Sequence, residues 1–142
     1  MIRRAKTDDI LDIVKLEKTG LRSTLGKQYL YQDIVHNPFS MYFVYELHLK
    51  VVGYIGYHVV DEQANILNFV IDINHQGQGY GRALLQSTID ELLTKHVKTI
   101  SLEVRESNQK AIKLYESLGF KASHKRKKYY NNEDAWVYIK EV

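Results

Sequence analysis

Three glycines spaced two residues apart, Gly77, Gly79 and Gly81, lie between an apolar segment and a segment of helical periodicity. Glycine lets the backbone turn tightly and approach a ligand closely. Successive free N–H groups at the start of a helix bind phosphate oxygens. The loop from Gln76 to Gly81 is therefore a candidate pyrophosphate site, although a glycine-rich turn that binds no ligand fits the same residues.

Two other phosphate-binding patterns fit this loop poorly. A dinucleotide fold needs G-x-G-x-x-G, an acidic residue about 20 residues later and several βαβ units. Glu103 could serve as that acid, but position 82 is an arginine and the chain has a single strand–helix–strand unit. A mononucleotide loop needs Gly-Lys-Ser/Thr, whereas Gly81 is followed by Arg82 and Ala83. We set both patterns aside.

Other reactive side chains form no familiar centre. The six histidines lack metal-ligand spacing and the chain has no cysteine, so we predict no metal site. No Gly-x-Ser-x-Gly motif is present, which argues against a serine hydrolase.

One basic run, residues 124–128, precedes Tyr129 and Tyr130. It fits a solvated sheet edge whose lysines prevent strand pairing, and it also fits contact with an acidic partner or an acceptor peptide. The run is too short to predict direct nucleic-acid binding.

Hydrophobic periodicity predicts the elements that position these residues. Strands are expected at residues 2–5, 41–48, 51–60, 66–73, 98–104, 120–130 and 135–141, with a turn at 131–134, and helices at 8–19, 27–36, 79–95 and 107–118. The order is β-α-α-β-β-β-α-β-α-β-β. The unit at 66–104 implies a parallel crossover, and the other strands read as antiparallel. We predict an α+β fold with a mixed, mostly antiparallel sheet of about seven strands and about four helices.

Composition indicates an ordinary globular protein. The 142 residues suit one domain, 1–142, with 44% apolar and 26% charged residues. The net charge of +3 is compatible with a polyanionic ligand. The charged start lacks the apolar core of a signal peptide, and no segment is long and apolar enough for a membrane span. We therefore predict a cytoplasmic protein with no membrane partner.

The segment Gln76–Gly81 resembles the Gln/Arg-x-x-Gly-x-Gly/Ala signature of the GCN5-related N-acetyltransferases. The residues at 102–105 (Leu-Glu-Val-Arg), Asn108 and the segment 111–120 are more narrowly similar to the ribosomal-protein alanine N-acetyltransferases. Tyr129, Tyr130 and residues 133–135 resemble the same subgroup, so the likeness covers roughly residues 64–136. The chain departs from the subgroup at 19–25, where a Pro-Trp pair is often found and this chain has none.

The resemblance implies acetyl-coenzyme A as cosubstrate, with its pantetheine arm entering a gap between the strands at 66–73 and 98–104. The residues implied in binding it are Phe69, Val70 and Ile71 through backbone groups, Gly77, Gln78, Gly79, Tyr80, Gly81 and Arg82 around the pyrophosphate, and Asn108 by a hydrogen bond. Structural roles remain possible for several of them. Phe69, Val70 and Ile71 also fit core strand residues, Arg82 fits a solvated surface side chain, and Asn108 fits a helix cap.

The resemblance also implies two catalytic residues. Glu103 would be the general base, acting through a water, and Tyr115 the general acid for the departing thiolate. From the pattern alone, Glu103 also fits an exposed glutamate and Tyr115 a core tyrosine. Tyr129 and Tyr130 are candidates for lining the groove of an acceptor peptide.

The acceptor is predicted from proton chemistry. Near pH 7.4 roughly a quarter of peptide α-amines are neutral, against about one lysine in a thousand. A water-mediated base therefore suits an α-amine, and we predict acetylation of a protein N-terminus, with a small-subunit ribosomal protein as the implied partner. A lysine or small-molecule acetyltransferase of the same fold, and a non-catalytic module that senses acyl-coenzyme A, remain alternatives.

Overall fold

The computed structural model describes residues 1–21, 24–127 and 133–142. In these residues seven strands form one sheet, and four α-helices accompany them. The elements are β1 (Ile2–Arg4), α1 (Ile10–Gly20), α2 (Lys27–His36), β2 (Ser40–Leu47), β3 (Lys50–Val60), β4 (Gln63–Ile71), α3 (Tyr80–Thr94), β5 (Thr99–Arg105), α4 (Gln109–Ser117), β6 (Lys121–Arg126) and β7 (Ala135–Glu141). The predicted α+β class and element order are confirmed.

The strand order is β1-β2-β3-β4-β5-β7-β6. Only β4 and β5 run parallel, and every other neighbouring pair is antiparallel. The parallel crossover predicted around α3 is therefore present. It places the loop before α3 beside the end of β4, where a parallel sheet offers its ligand-binding edge.

Strand β4 differs from its predicted bounds. It begins at Gln63 rather than at residue 66 and ends at Ile71 rather than at 73. Exposed Gln63 and Asn65 alternate with buried Ala64 and Ile66, so the strand period continues toward the N-terminus. A 3-10 turn at Ile73–His75 ends the extended chain, and the Asp72 side chain accepts a hydrogen bond from the N–H of Asn74.

Each face of the sheet carries its own core. Helices α3 and α4 cover one face, where Leu85, Ile100 and Phe120 belong to the same buried cluster. Helices α1 and α2 cover the other face, where Ile13 and Leu30 are fully buried.

Gly20 lets the end of α1 approach β4 closely. A Cβ atom at Gly20 would lie 2.4 Å from Cγ2 of Val70, so a larger residue would push the helix away. The end of α1 is thereby brought to the same part of β4 that borders the site described below.

The C-terminal hairpin pairs β6 with β7, and all of β6 is exposed. The described strand ends at Arg126, whereas the prediction extended to residue 130. Tyr129, Tyr130 and half of the predicted turn at 131–134 lie outside the described residues. None of the helices in the described part of the chain is long and apolar enough to cross a membrane.

Candidate active site

Strands β4 and β5 are paired only at their N-terminal ends. The ladder consists of Gln63↔Thr99, Ala64↔Ile100 and Asn65↔Ser101 and goes no further along these two fully described strands. Ser101 Oγ donates to Asn65 Oδ1 at 3.2 Å on the last rung. The gap implied by the family resemblance is therefore present.

A β-bulge lies just after the point of separation. On the β3 side, Gly56 faces Asn68 and Tyr57 faces Ile66, so Leu67 is the extra residue in β4. A bulge bends its strand and increases the local twist. Here the bend accompanies the divergence of β4 from β5.

The separated strands enclose a cleft of about 750 Å³. Residues 65–69 of β4 form one wall and residues 101–105 of β5 the other, and Gly20 and Leu21 at the end of α1 also border it. Four of the predicted site residues line this cleft: Phe69, Glu103, Asn108 and Tyr115.

Glu103 lies on the face of β5 opposite to the α3–α4 core. Its neighbours Leu102 and Val104 are buried in that core, and strand alternation turns Glu103 the other way. Its side chain is 44% exposed, and its Oε2 accepts a hydrogen bond from Nη1 of Arg126 at 3.1 Å. A solvent-accessible carboxylate in a cleft can exchange protons with water or a bound amine.

Tyr115 reaches the same cleft from the core side. It lies on α4, is 7% exposed, and its ring centroid is 6.4 Å from that of Phe69 and 5.9 Å from that of Phe120. Burial raises the pKa of the Tyr115 phenol above its ordinary value. The hydroxyl therefore remains protonated at neutral pH and can act as a proton donor.

Asn108 begins α4 and caps it. Its Oδ1 accepts a hydrogen bond from the N–H of Ala111 at 3.2 Å, so the capping alternative describes its local role. The same residue lines the cleft. The side chains of Val70 and Ile71 are buried, one in each core, which leaves only their backbone groups for a ligand.

The glycine loop has the geometry of an anion cradle. Gly77 and Gly79 have φ angles of 78° and 87°, which favour glycine, and a Cβ at either position would meet no atom within 4 Å. Ala83 is the residue whose N–H donates to the Gly79 carbonyl, so the N–H groups of Tyr80, Gly81 and Arg82 precede the first intrahelical bond of α3. Open space in front of free N–H groups fits a pyrophosphate.

Hydrogen bonds join this loop to β4 and α4. Gln76 Nε2 donates to the Ile71 carbonyl at 3.0 Å, and Lys110 Nζ donates to Gln76 Oε1 at 3.2 Å. A Cβ at Gly81 would lie 3.5 Å from Phe69, which itself lines the cleft. The loop and the cleft therefore form one continuous region.

Two loop-region side chains point elsewhere. The Tyr80 ring packs against Tyr45 with centroids 4.8 Å apart, and Arg82 Nη2 donates to Ser117 Oγ at 2.7 Å. The exposed Gln78 completes the loop. At Tyr80 the backbone N–H is thus the group available to a phosphate.

Several polar residues of the cleft were not predicted from the sequence, among them Asn65, Asn68 and Arg126. Arg126 belongs to the basic run 124–128, of which Lys125 also pairs with Glu106 at 3.2 Å. Neither pairing has a sequence signal, because both depend on the register of the C-terminal hairpin. Among the described residues no group of His, Asp or Glu side chains could hold a metal ion.

Comparison with known proteins agrees with this geometry. The model of the acetyltransferase (GNAT) family matches residues 7–120. The [ribosomal protein bS18]-alanine N-acetyltransferase of Escherichia coli (strain K12) is 40% identical over 118 residues, covering 83% of this chain and 72% of the relative.

Solved structures agree as well. The crystal structure of the Escherichia coli ribosomal-protein-S18-alanine N-acetyltransferase superposes with a TM-score of 0.92 at 32% identity, covering 100% of this chain and 93% of the other. Ard1 from Thermoplasma volcanium superposes with a TM-score of 0.91 at 25% identity, covering 100% and 97% of the two chains. The chain therefore belongs to the acetyltransferase (GNAT) family, whose members use acetyl-coenzyme A, and it is an N-acetyltransferase.

Proposed function

We propose that this protein, acting as one domain over residues 1–142, acetylates the N-terminal α-amine of a ribosomal protein of the bS18 type. The observation that carries the proposal is that Glu103 and Tyr115 line one cleft from opposite faces of β5, where β4 and β5 separate. The likeness to the Escherichia coli ribosomal-protein-S18-alanine N-acetyltransferase supports the choice of acceptor.

The cosubstrate would span the glycine loop and the cleft. The N–H groups of Tyr80, Gly81 and Arg82 would hold its pyrophosphate, and the unpaired edge of β4 at Phe69–Ile71 would offer backbone groups to the pantetheine arm. Asn108 would add a hydrogen bond from the start of α4. When bound, acetyl-coenzyme A supplies the acetyl group as a thioester.

Glu103 and Tyr115 would manage the protons. Through a water, Glu103 would take a proton from the acceptor's ammonium group, because only the neutral amine can attack the thioester carbon and form the new carbon–nitrogen bond. Tyr115 gives its proton to the sulfur as the carbon–sulfur bond breaks. Because burial raises its pKa, Tyr115 keeps that proton across the physiological range.

The cleft suits an α-amine in water-accessible surroundings. An α-amine with a pKa near 8 loses its proton far more readily than a lysine with a pKa near 10.4. Glu103, with 44% of its side chain exposed, is the carboxylate that the described residues place in this cleft. Tyr129 and Tyr130 stay predicted contacts of the acceptor peptide.

The test is acetyl transfer to matched peptides. One peptide carries the N-terminal residues of the bS18 protein from the same organism and contains a lysine, and its control is the identical peptide blocked at the α-amine. Small primary amines are assayed in parallel. We expect release of coenzyme A thiol with the first peptide only. Equal rates on both would identify a lysine acetyltransferase, transfer only to small amines would identify a small-molecule enzyme, and tight cofactor binding with no transfer would identify a sensor.

A further inference from the structure

A second carboxylate lies behind the cleft and takes no part in the chemistry above. Glu17, on α1, is completely buried. From the described residues its oxygens accept four hydrogen bonds: from the N–H groups of Leu25 at 3.0 Å and Gly26 at 3.2 Å, from the hydroxyl of Tyr54 at 2.7 Å and from Nδ2 of Asn68 at 3.1 Å. A buried carboxylate is tolerated only when such donors replace its water.

The donors come from three separate parts of the chain. Leu25 and Gly26 lie in the connection between α1 and α2, Tyr54 lies on β3, and Asn68 lies on β4 next to the bulge at Leu67. One side chain therefore ties the α1–α2 connection to the bulged strand. The separation in sequence between Glu17 and Asn68 is 51 residues, so this tie is purely tertiary.

The bulged strand β4 and the start of the α1–α2 connection, which Glu17 joins, both border the cleft. Asn68 lines it from β4, and Gly20 and Leu21 line it at the start of the α1–α2 connection. The N–H of Leu21 also donates to the Glu17 carbonyl at 2.9 Å. Glu17 thus contacts the α1–α2 connection near both of its ends, on the wall that faces Glu103 across the gap.

We propose that Glu17 is a positioning residue for the acceptor. Its carboxylate holds Asn68 and the backbone at residues 25–26 in an arrangement that presents the N-terminal amine of the acceptor to Glu103. This inference rests on the proposed function for its acceptor. Glu17 itself touches no substrate and acts through Asn68 and the backbone at residues 25–26.

The chain contains a matched control for burial and charge. Asp33, on α2, is 6% exposed and accepts hydrogen bonds from the Tyr42 hydroxyl at 2.7 Å, from His58 Nε2 at 2.8 Å and from Asn37 Nδ2 at 2.8 Å. Burial acts to raise its pKa, but the hydrogen bonds from these three side chains outweigh burial and lower it. None of the partners just named lines the cleft.

The main experiment compares Glu17→Gln with Asp33→Asn. Glutamine keeps the size of the side chain but replaces one accepting oxygen with an NH₂ group that cannot accept from the neighbouring donors. The acceptor must then restore this arrangement as it binds, and a cost equal to one charge-assisted hydrogen bond predicts an increase of about tenfold or more in KM for the acceptor peptide. Affinity for acetyl-coenzyme A should stay within about twofold, since the glycine loop is untouched. Asp33→Asn should lower thermal stability without changing the acceptor KM.

If Glu17→Gln fails to fold, two variants of its hydrogen-bond donors test the same proposal. Asn68→Ala and Tyr54→Phe each remove one of the four donors, and only Asn68 borders the cleft. Asn68→Ala should raise the acceptor KM, and Tyr54→Phe should leave it near the wild-type value. Equal acceptor KM values for both variants, or a wild-type KM in folded Glu17→Gln, would overturn the proposal.

Hydrogen exchange separates this inference from the proposed function. The amides of Leu25 and Gly26 should exchange faster in Glu17→Gln and at the wild-type rate in Asp33→Asn, whatever the acceptor is. The ratio of the variant KM to the wild-type KM is measured with whichever amine the wild type acetylates. If the wild type does not acetylate the bS18 peptide, only the proposed acceptor is refuted. Unchanged exchange at both amides in Glu17→Gln would refute the positioning role.

Discussion

The β4 wall of the cleft and the β5 wall present different kinds of groups. The side chains of Asn65 and Asn68 line β4 near the point where the strands separate. Further along β4 and in the loop that follows it, the groups available to a ligand are backbone N–H and C=O groups and the open space at Gly77 and Gly79. Along β5 and the elements packed on it they are side chains, namely Glu103, Tyr115 and Arg126.

We expect the two walls to have different roles in the reaction. Backbone groups do not titrate, and they lose little conformational entropy when a ligand binds. The β4 side is therefore suited to binding and orienting the cosubstrate. Side chains that exchange protons are suited to acid–base chemistry. Substitutions on the β5 side should therefore change kcat. Substitutions on the two sides should therefore change different kinetic constants.

The largest effect is expected from Gly79→Val. The new side chain would fill the space in front of three free N–H groups, and losing three charge-assisted hydrogen bonds at about 1.5–3 kcal/mol each predicts a loss of more than about 10³ in acetyl-coenzyme A affinity. Calorimetric titration measures it. Gly26→Val is the control for backbone strain, because Gly26 has a similar φ of 86° in open space and its N–H contacts Glu17 rather than the glycine loop. Unchanged affinity in folded Gly79→Val would place the pyrophosphate elsewhere.

The next effect is expected from Glu103→Gln. Removing a general base costs on the order of 10²–10⁴ in rate, so kcat should fall by that factor while acetyl-coenzyme A affinity is preserved. The residual rate should rise with pH, because solvent then deprotonates the amine. Stopped assays across the pH range test this, with Glu106→Gln, on the exposed end beyond β5, as a charge-matched control. A neutral-pH kcat near the wild-type value would remove Glu103 from the mechanism.

Tyr115→Phe should have a smaller effect that depends on pH. The variant keeps the ring packing and loses the proton donor, which predicts a decrease of about 10² in kcat at neutral pH. The deficit should shrink above the thiol pKa of about 8.5, where the thiolate departs without help. Because the Tyr115 pKa is raised, the wild type should lose no activity through this group below about pH 10, the ordinary tyrosine value.

Tyr138→Phe is the control for tyrosine hydroxyls near α4, since its hydroxyl donates to Glu116 rather than lining the cleft. It should turn over like the wild type. Superimposable pH–rate profiles for Tyr115→Phe and the wild type would leave Tyr115 as a packing residue.

The smallest effect is expected from Arg126→Gln. The Arg126–Glu103 pair is largely exposed, and such pairs contribute about 0–1 kcal/mol, so the free energy of unfolding should change by less than about 1 kcal/mol. We expect kcat to fall by less than about tenfold if the pair only orients the Glu103 carboxylate. Chemical denaturation and steady-state kinetics measure the two quantities. A decrease as large as that of Glu103→Gln would instead make Arg126 part of the catalytic centre.

Contiguous residues determined much of this protein by themselves. The strand and helix periodicities predict the element order, and the alternation of Gly77, Gly79 and Gly81 before a helical pattern predicts the loop. These features depend on neighbours a few residues apart, where φ angles, turn formation and side-chain periodicity are set. The family resemblance placed Glu103, Asn108 and Tyr115 at one site for the same reason, since all three lie within one strand–turn–helix segment.

Tertiary structure alone decided the rest of the site. The pairs Arg126–Glu103 and Asn68–Glu17 are 23 and 51 residues apart, and each requires a particular strand register. A shift of one residue turns every side chain of a strand to the other face, and bulges at Leu67 and Ser123 alter the register inside β4 and β6. Short-range patterns do not specify such shifts, because their energy comes from packing between distant segments. The contacts between Arg126 and Glu103 and between Asn68 and Glu17 could therefore be identified only from the assembled sheet.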